Sequence, residues 1–276
     1  MEFLQPPTWR EALEARAAHP DALPIWGGTD VMVELNFARK RPPALLDLTR
    51  VGELSRWDEE DGGVRIGAGV SYTRVITELG DRLPGLAMAS RTVGSPQIRN
   101  RGTIGGNLGS SSPAGDALPP LFASGASVLL ESERGERRVA VEEFVTGPKR
   151  NALAADELIA GVWMPVRAGS AQQFAKVGTR NAMVIAVCSF ALEVSDGRVG
   201  TCIGSAGPTP IRAREAEAFA VGLDGWSEDA GVRFGELVAA AASPIDDVRG
   251  SAAYRRHALG VLARRTLKWA MEARCA

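Results

Sequence analysis

The stretch TIGGNLGSSSPAGD, residues 103–116, guides the interpretation of the whole chain. Its four glycines and three serines in fourteen residues offer many backbone N–H donors and small hydroxyls with almost no side-chain bulk. Such a surface suits a diphosphate and a flat ring better than it suits a hydrophobic core. A flexible surface loop is the alternative, although Ile104 and Leu108 are apolar and would anchor it. Asp116 could cap the helix that follows, accept hydrogen bonds from ribose or ribityl hydroxyls, or do both.

A second glycine-containing stretch, Gly27-Gly28-Thr29-Asp30, lies between an extended run at 24–26 and a helix start at 31–37. Glycines permit positive φ and let a ligand approach the main chain, and successive N–H groups at such a turn can bind phosphate. Taken alone, the stretch also fits an ordinary strand–turn–helix connection with Thr29 or Asp30 as the N-cap.

The remaining patterning predicts a mixture of helices and strands. A helix at 8–18 with Thr8 as N-cap, the run at 24–26 and a strand at 45–48 form a βαβ-like unit. Strands at 64–69, 127–131 and 139–141 and helices at 73–79, 86–93 and 116–126 form a second unit, in which 94–115 is expected to be irregular. Strands at 174–177, 184–194 and 199–206, with a hairpin at Asp196-Gly197, precede helices at 212–222, 232–242 and 251–273. The last helix is expected to pack through one face that includes Tyr254, Ala258, Val261, Leu262 and Trp269.

The composition excludes several classes of protein. A net charge of −1, from 32 basic and 33 acidic residues, gives no footprint for nucleic acid. Cys188, Cys202 and Cys275 are far apart, which argues against a disulfide framework or an iron–sulfur cluster, and two histidines argue against zinc. The start, MEFLQPP, has no leader pattern, and no apolar run approaches the ~18–20 residues of a membrane span. We therefore expect a cytoplasmic protein without a membrane span.

Three common motifs are also missing from the sequence. No GxGxxG opens a helix after a buried strand, so a Rossmann dinucleotide site is not predicted. No GxxxxGK[ST] indicates a P-loop ATPase, and no GxSxG with a partner histidine indicates a serine hydrolase.

Taken together and in order, the segments resemble the FAD-binding subunit or domain of molybdenum hydroxylases, which include xanthine dehydrogenases, aldehyde oxidoreductases and carbon monoxide dehydrogenases. One glycine loop carries little information, whereas the ordered set runs along nearly the whole chain. The matching segments are Phe3–Leu13, Gly27–Asp30, Ile66–Ala68, Gln97–Asn100, Thr103–Asn107, Ser112–Asp116, Pro208–Arg212 and Arg249–Arg255.

The resemblance implies an α+β fold of three parts. Residues 1–57 and 58–169 would form the two subdomains of an FAD-binding fold of the vanillyl-alcohol-oxidase (PCMH) type. Residues 170–276 would form an α+β C-terminal domain with a three-stranded antiparallel sheet and helices.

The resemblance also implies a site for FAD, with no metal and no catalytic side chain. The loop Trp26, Gly27, Gly28, Thr29, Asp30, Val31 and Met32 would wrap the diphosphate through its backbone N–H groups. Thr103, Gly106, Asn107 and Ser110 would line the second side of the cofactor, and Asp116 would bind a ribose or ribityl hydroxyl. Ile159 matches an apolar wall against the adenine, and Lys176 matches a basic residue beside the cofactor.

The implied function is that of an electron-transfer subunit of an oxidoreductase. FAD would take electrons from a separate [2Fe–2S] small subunit and pass them to NAD⁺, while a large subunit with the molybdenum cofactor oxidises the substrate, commonly in a heterotrimer. Two departures concern the flavin surroundings: Val93 stands where a relative has an aromatic residue, and Ala182-Met183-Val184 replaces an acidic loop that affects access of NAD⁺ or dioxygen. The alternatives are a stand-alone FAD-dependent reductase or oxidase of the same fold and a flavin-free scaffold subunit.

Overall fold

The computed structural model describes residues 1–275, and the first part is a small parallel sheet covered by helices. Its elements are β1 (Glu2–Leu4), α1 (Trp9–Ala18), β2 (Leu23–Ile25), α2 (Val31–Asn36) and β3 (Ala44–Asp47). Both β1 and β2 pair with β3 in parallel, so the predicted βαβ unit is present. Thr8 caps α1, because its side chain accepts a hydrogen bond from the backbone N–H of Glu11.

The second part is a five-stranded sheet with helices packed against it. After a short 3₁₀ turn at Gly52–Ser55, its elements are β4 (Trp57–Glu60), β5 (Gly63–Gly67), α3 (Tyr72–Glu78), α4 (Pro84–Thr92), α5 (Pro96–Arg101), α6 (Ile104–Ser110), α7 (Leu118–Ser124), β6 (Ser127–Ser132), β7 (Gly135–Ala140), α8 (Val141–Phe144), β8 (Val145–Gly147), β9 (Arg150–Asn151) and β10 (Leu158–Pro165). The strand order is β4-β5-β10-β6-β7, and β8 pairs separately with β9. The central strand β10 was not predicted, because its run from Leu158 to Pro165 is apolar almost throughout and shows no alternation of polar and apolar residues.

The third part is an antiparallel sheet backed by three helices. Its elements are β11 (Ala171–Val177), β12 (Cys188–Ser195), β13 (Arg198–Gly204), α9 (Arg214–Val221), α10 (Glu228–Ala241) and α11 (Ala252–Cys275). The strands pair in the order β11-β12-β13, and Gly197 takes a positive φ of 66° in the predicted hairpin turn. The α+β class and the three-stranded C-terminal sheet are therefore confirmed.

The prediction of irregular backbone from 94 to 115 was wrong for 96–101 and 104–110, although residues 111–115 do form turns without regular structure. The chain forms α5 and α6 there, because Ser95 and Thr103 cap the two helices through their side-chain oxygens. Close packing of α6 against the end of β5 outweighs the low helix propensity of its three glycines.

The prediction for α11 was also partly wrong. Ala258 and Leu262 are buried, but Tyr254 and Trp269 are about half exposed, at 50% and 46%. The face that packs instead includes Leu259, Ala263 and Leu267, which are fully buried. Cys188 and Cys202 are buried free thiols in the sheet, whereas the side chain of Cys275 lies outside the described structure.

Candidate functional site

The short helix α6 carries the second glycine stretch. The Thr103 hydroxyl accepts a hydrogen bond from the Gly106 N–H at 2.9 Å and so caps its start. At its end Ser111 adopts the left-handed conformation, with φ 44°. Gly105 faces inward, where an added Cβ would come within 2.5 Å of the Ala68 Cβ. Gly106 and Gly109 face outward and are exposed, so the accessible face of α6 has little side-chain bulk.

The first glycine stretch lies against the segment that precedes α6. A Cβ on Gly27 would meet the backbone oxygen of Arg101, and one on Gly69 would come within 2.5 Å of the Trp26 ring. The backbone N–H groups of residues 27 to 31 donate no hydrogen bond to any described residue. Gly28 has a positive φ of 73°, which turns this run of N–H groups through a tight bend. Free donors at such a bend form a site for an anion.

The two glycine stretches meet through side chains that lie 80 residues apart in the sequence. The Ser110 hydroxyl donates to Asp30 Oδ2 at 2.7 Å. Asp30 occupies the N-cap position of α2, as one alternative expected, but its side chain makes no cap hydrogen bond to the helix. Asp30 instead ties the turn before α2 to the end of α6.

Asp116 lies beside α6, in a largely buried position. Its Oδ2 accepts a hydrogen bond from Lys176 Nζ at 2.6 Å and a longer one from the Thr92 hydroxyl at 3.5 Å. Asp116 does not cap α7, whose N-cap is Ala117 and has no side-chain cap bond. Burial raises the pKa of the Asp116 carboxyl, while the charge and hydrogen bond of Lys176 oppose that rise.

Two buried oxygen atoms at this site have no hydrogen-bond partner among the described residues. They are Asp116 Oδ1 and Asn107 Oδ1. Asn107 lies against Gly115, the residue before Asp116, because a Cβ on Gly115 would come within 2.9 Å of Asn107 Oδ1. A buried acceptor left unpaired costs about 1–3 kcal/mol, so an outside donor would be favourable here. Hydroxyl groups of a bound sugar or ribityl chain are donors of this kind, and the residues therefore fit FAD.

The structure brings most of the predicted site residues together. Ile159 on β10 lies over α6, since its Cδ1 would be 3.8 Å from a Cβ on Gly109. Met32 is exposed beside Gly28, and Val31 begins α2. Thr103 is buried, with its hydroxyl already used in the cap of α6. The cofactor contacts of all these residues remain predictions.

One residue at the site was missed by sequence reasoning. Tyr72, at the start of α3, is almost fully buried and packs against Gly102. Burial is the main cause that raises the pKa of its hydroxyl, and the nearby charges of Asp116 and Asp30 add to the effect. It is one of two tyrosines in the chain, and no motif around it distinguishes it from a core residue.

The comparisons with known proteins agree with this geometry. The family described as "FAD binding domain in molybdopterin dehydrogenase" matches residues 1–167, and the family described as "CO dehydrogenase flavoprotein C-terminal domain" matches residues 173–270. The chain belongs to this family of FAD-binding subunits of molybdenum hydroxylases. It is thus an oxidoreductase subunit that binds FAD.

Individual relatives match most of the chain. The nicotinate dehydrogenase FAD-subunit of Eubacterium barkeri is 35% identical over 80% of this chain and 79% of its own length. The nicotine 6-hydroxylase medium subunit of Paenarthrobacter nicotinovorans is 30% identical over 97% of this chain and 96% of its own. A solved chain of carbon monoxide dehydrogenase from Hydrogenophaga pseudoflava superposes with a TM-score of 0.92 at 29% identity, covering 100% of this chain and 98% of that one.

The described residues were also searched for a metal site and for a membrane-spanning helix. Within residues 1–275 there is no group of three or more His, Cys, Asp or Glu side chains placed to hold a metal ion. In the same part of the chain, no helix is long and apolar enough to cross a membrane.

Proposed function

We propose that this subunit relays electrons from a [2Fe–2S] small subunit to NAD⁺, within a complex whose large subunit carries the molybdenum cofactor. Bound FAD would supply the chemistry, because a flavin accepts electrons singly and donates them in pairs. The observation that supports FAD as the relay's cofactor is the set of unpaired groups at the two glycine stretches: five backbone N–H groups and two buried oxygen atoms. The medium-subunit and FAD-subunit names of the relatives support the assignment to a complex.

The two glycine stretches would bind the cofactor mainly through the main chain. The N–H groups of residues 27–31 would hold the diphosphate, with Trp26 and Met32 at the ends of this loop. Fixed backbone dipoles would offset the diphosphate charge without a basic patch, which agrees with the near-zero net charge of the chain.

The other predicted contacts involve side chains around α6. Ser110 and Asn107 would line the second side of the cofactor beside Gly106, and Thr103 would hold this helix in place. Asp116 would accept a hydrogen bond from a ribose or ribityl hydroxyl, and Ile159 would contact the adenine.

The site needs no proton-transfer group for this role. Asp116 and Lys176 are the ionisable pair at its base, and they are bonded to each other. We assign neither as an acid or a base, because hydride transfer between FAD and NAD⁺ requires none, and the proton that FAD would take up with two single electrons can come from water.

We retain the division into 1–57, 58–169 and 170–276 as a proposal. It is supported by the three main sheets, which fall within these ranges except that β4 of the second sheet begins one residue earlier, at Trp57. A cytoplasmic location is likewise a proposal, supported by the free thiols of Cys188 and Cys202.

The terminal acceptor depends on the loop that replaces the acidic segment of a relative. Arg180 donates to the carbonyl oxygen of Met183, and Met183 and Ile185 are both about half exposed. The loop thus presents apolar side chains where acidic ones would repel an anionic dinucleotide, which supports NAD⁺ as the acceptor.

The test is an anaerobic titration of the isolated complex, and of the chain alone, with NADH. We expect NADH to bleach the flavin absorbance band of both samples. Dithionite, which reduces flavin without a nucleotide site, is the control on the same samples. A band that dithionite bleaches and NADH leaves intact would assign the acceptor to dioxygen or a quinone. A chain without any flavin band would be a scaffold, and a chain that reduces its flavin with a small substrate without partners would be a stand-alone enzyme.

A further inference from the structure

Basic side chains are concentrated in two short segments of an otherwise nearly neutral chain. The first segment follows α2 and contains Arg39, Lys40 and Arg41, and the second is the β8–β9 hairpin with Lys149 and Arg150. All five residues are exposed, and together they are called the basic patch. Because the whole chain has a net charge of −1, the patch is a local excess of positive charge.

Glu34, on α2, brings the two segments together. Its carboxylate oxygens lie 2.5 Å from Lys149 Nζ and 3.0 Å from Lys40 Nζ. Hydrogen bonds from Lys149 and Lys40 lower the pKa of the Glu34 carboxyl, which is therefore ionised at neutral pH. The backbone also folds back onto α2, because the Arg39 N–H donates to the Glu34 carbonyl oxygen at 2.8 Å.

Most of the positive charge of the patch is not neutralised. Among the residues that the structure describes, the ion pairs of the patch are the two with Glu34, so five cations and one carboxylate leave a net charge of +4. Arg39, Arg41 and Arg150 have no ion-pair partner in that part of the chain, and the Arg39 guanidinium lies over the Phe37 ring, 5.3 Å from its centre. Exposed charges of one sign act on an anion before it makes contact.

The patch lies at the margin of the cofactor site. The six-residue helix α2 begins at the end of the loop 27–31, and at about 1.5 Å per residue it places its basic end about 9 Å away. On the other side, the Lys149 N–H donates to the Ser111 carbonyl oxygen at 3.0 Å, and the Asn151 side chain donates to the Gly109 carbonyl oxygen at 3.1 Å. These separations are comparable to the Debye length of about 8 Å at physiological ionic strength, so the field of the patch reaches both glycine stretches.

The other charges around the glycine stretches nearly cancel. The Asp30 carboxylate is opposed by Arg101, whose Nη2 donates to a carbonyl oxygen of the loop 26–32 at 3.4 Å. Asp116 is opposed by Lys176, at 2.6 Å. The loop itself contains no basic residue. The patch therefore dominates the field at the site, and it acts from outside the loop that would hold the diphosphate.

We propose that the basic patch steers FAD to its site and so accelerates its binding. The diphosphate makes FAD a dianion at neutral pH, and a patch of opposite charge beside a site raises the association rate by about 10–10³-fold. Screening at physiological ionic strength favours the low end of that range, so we expect an effect of about tenfold. The proposal rests on the placement of the diphosphate at residues 27–31 and is independent of the terminal acceptor.

Steering and direct contact change different rate constants. A long-range field speeds the approach of FAD, so removal of the charges lowers the association rate constant and leaves the dissociation rate constant nearly unchanged. A cation that touches the bound cofactor would slow its release, so its loss would raise the dissociation rate constant. Kinetic measurements therefore separate the two roles, which equilibrium affinities alone would not.

The test uses a triple variant of the full-length chain, Arg39→Gln, Arg41→Gln and Arg150→Gln. These substitutions leave both ion pairs of Glu34 in place, so the two segments stay joined. FAD is removed, and its rebinding is followed by flavin fluorescence in a stopped-flow instrument over a range of salt concentrations. At low ionic strength the variant should associate with FAD about tenfold more slowly than the wild type. Added salt should slow the wild type towards the rate of the variant, which should itself depend little on salt.

A second triple variant is the matched control. Arg233→Gln, Arg265→Gln and Lys268→Gln remove three exposed cations from α10 and α11, and so change the total charge by the same amount. This variant should associate with FAD at the wild-type rate and with the wild-type salt dependence, because its charges lie on the third part of the fold. A rate as slow as that of the patch variant would mean that total charge, and not the patch, controls binding, and would overturn steering.

The remaining outcomes also bear on the proposal. A patch variant that associates at the wild-type rate at low ionic strength would overturn it, and so would a variant whose only change is faster release of FAD. The placement on which it rests is tested by Gly28→Ala, because Gly28 has a φ of 73° and a Cβ there would meet Met32 Cγ at 3.2 Å. This variant should release FAD faster, and wild-type release would count against the diphosphate placement. The electron relay is tested separately, by the NADH titration.

Discussion

Replacing Gly105 by alanine tests whether the close contact between α6 and the end of β5 builds the cofactor site. The new Cβ would lie 2.5 Å from the Ala68 Cβ and 2.6 Å from the Ala68 oxygen. Carbon atoms in contact prefer about 3.5–4.0 Å, so the helix would have to move by about 1 Å. That movement would also stretch the hydrogen bond from the Gly105 N–H to the Ala68 oxygen, now 3.1 Å.

The change in the free energy of unfolding is the sum of two destabilising effects and one stabilising effect. Overpacking costs about 1–3 kcal/mol, and a weakened backbone hydrogen bond adds about 1 kcal/mol. Alanine returns about 1 kcal/mol of helix propensity relative to glycine. We therefore expect Gly105→Ala to lower the free energy of unfolding of the FAD-free chain by about 1–3 kcal/mol.

Gly109→Ala is the matched control on the same helix. A Cβ there would meet only the Ile159 Cδ1, at an ordinary contact distance of 3.8 Å. Without a steric clash, only the higher helix propensity of alanine changes the stability. This variant should therefore be more stable than the wild type by about 0.5–1 kcal/mol.

The assay is thermal unfolding of the FAD-free variants, followed by titration with FAD. A difference of 1 kcal/mol shifts the melting temperature of a chain of this size by about 2–4 °C. Gly105→Ala should melt lower and bind FAD more weakly, whereas Gly109→Ala should melt higher. Equal melting temperatures for the two variants would refute the argument that close packing, and not glycine flexibility, explains Gly105.

Two further predictions concern a cap and an ion pair. Thr103→Val should lower stability by about 1 kcal/mol, because the Gly106 N–H loses its acceptor, and Thr103→Ser should restore it in thermal melts. Burial acts to raise the pKa of Glu217, but hydrogen bonds from Arg212 and Thr201 outweigh it and leave the pKa below its ordinary value. Its stabilisation is therefore present above the unfolded pKa of about 4.3 and is lost as the pH falls through the lower folded value. Glu217→Gln should lose about 1.5–3 kcal/mol at pH 7 and show a flatter loss of stability with acid in urea melts; an unchanged acid dependence would contradict this.

Local patterns in the sequence predicted the elements that depend on local chemistry. Thr8 with Glu11 predicted a capped helix, and Asp196-Gly197 predicted a hairpin, because a few adjacent residues determine each of these structures. The glycine-rich composition gave the wrong prediction for α6, because this helix depends on the contact of Gly105 with Ala68, 37 residues away in the sequence. A glycine-rich window read in isolation carries no information about such a contact.

The sequence predicted which residues lie at the candidate site, but not which of them bond to one another. The resemblance named Asp30, Ser110, Asp116 and Lys176, but not that the first two bond to each other and the last two form a buried pair. Tyr72 was missed, because an isolated tyrosine in an apolar context has the pattern of a core residue. These pairings depend on how distant segments pack, which no local spacing reveals.

The position of β10 has a consequence for synthesis of the protein. This strand lies between β5 and β6 in the sheet, although it follows both in the chain. A nascent chain therefore cannot complete its five-stranded sheet until Pro165 has left the ribosome. The ion pair of Asp116 forms later still, because Lys176 is synthesised after β10. Both glycine stretches are synthesised earlier, and until then they lack their packing against β10 and the C-terminal part. Cofactor capture thus belongs to a late stage of biogenesis, when nearly the whole chain is available.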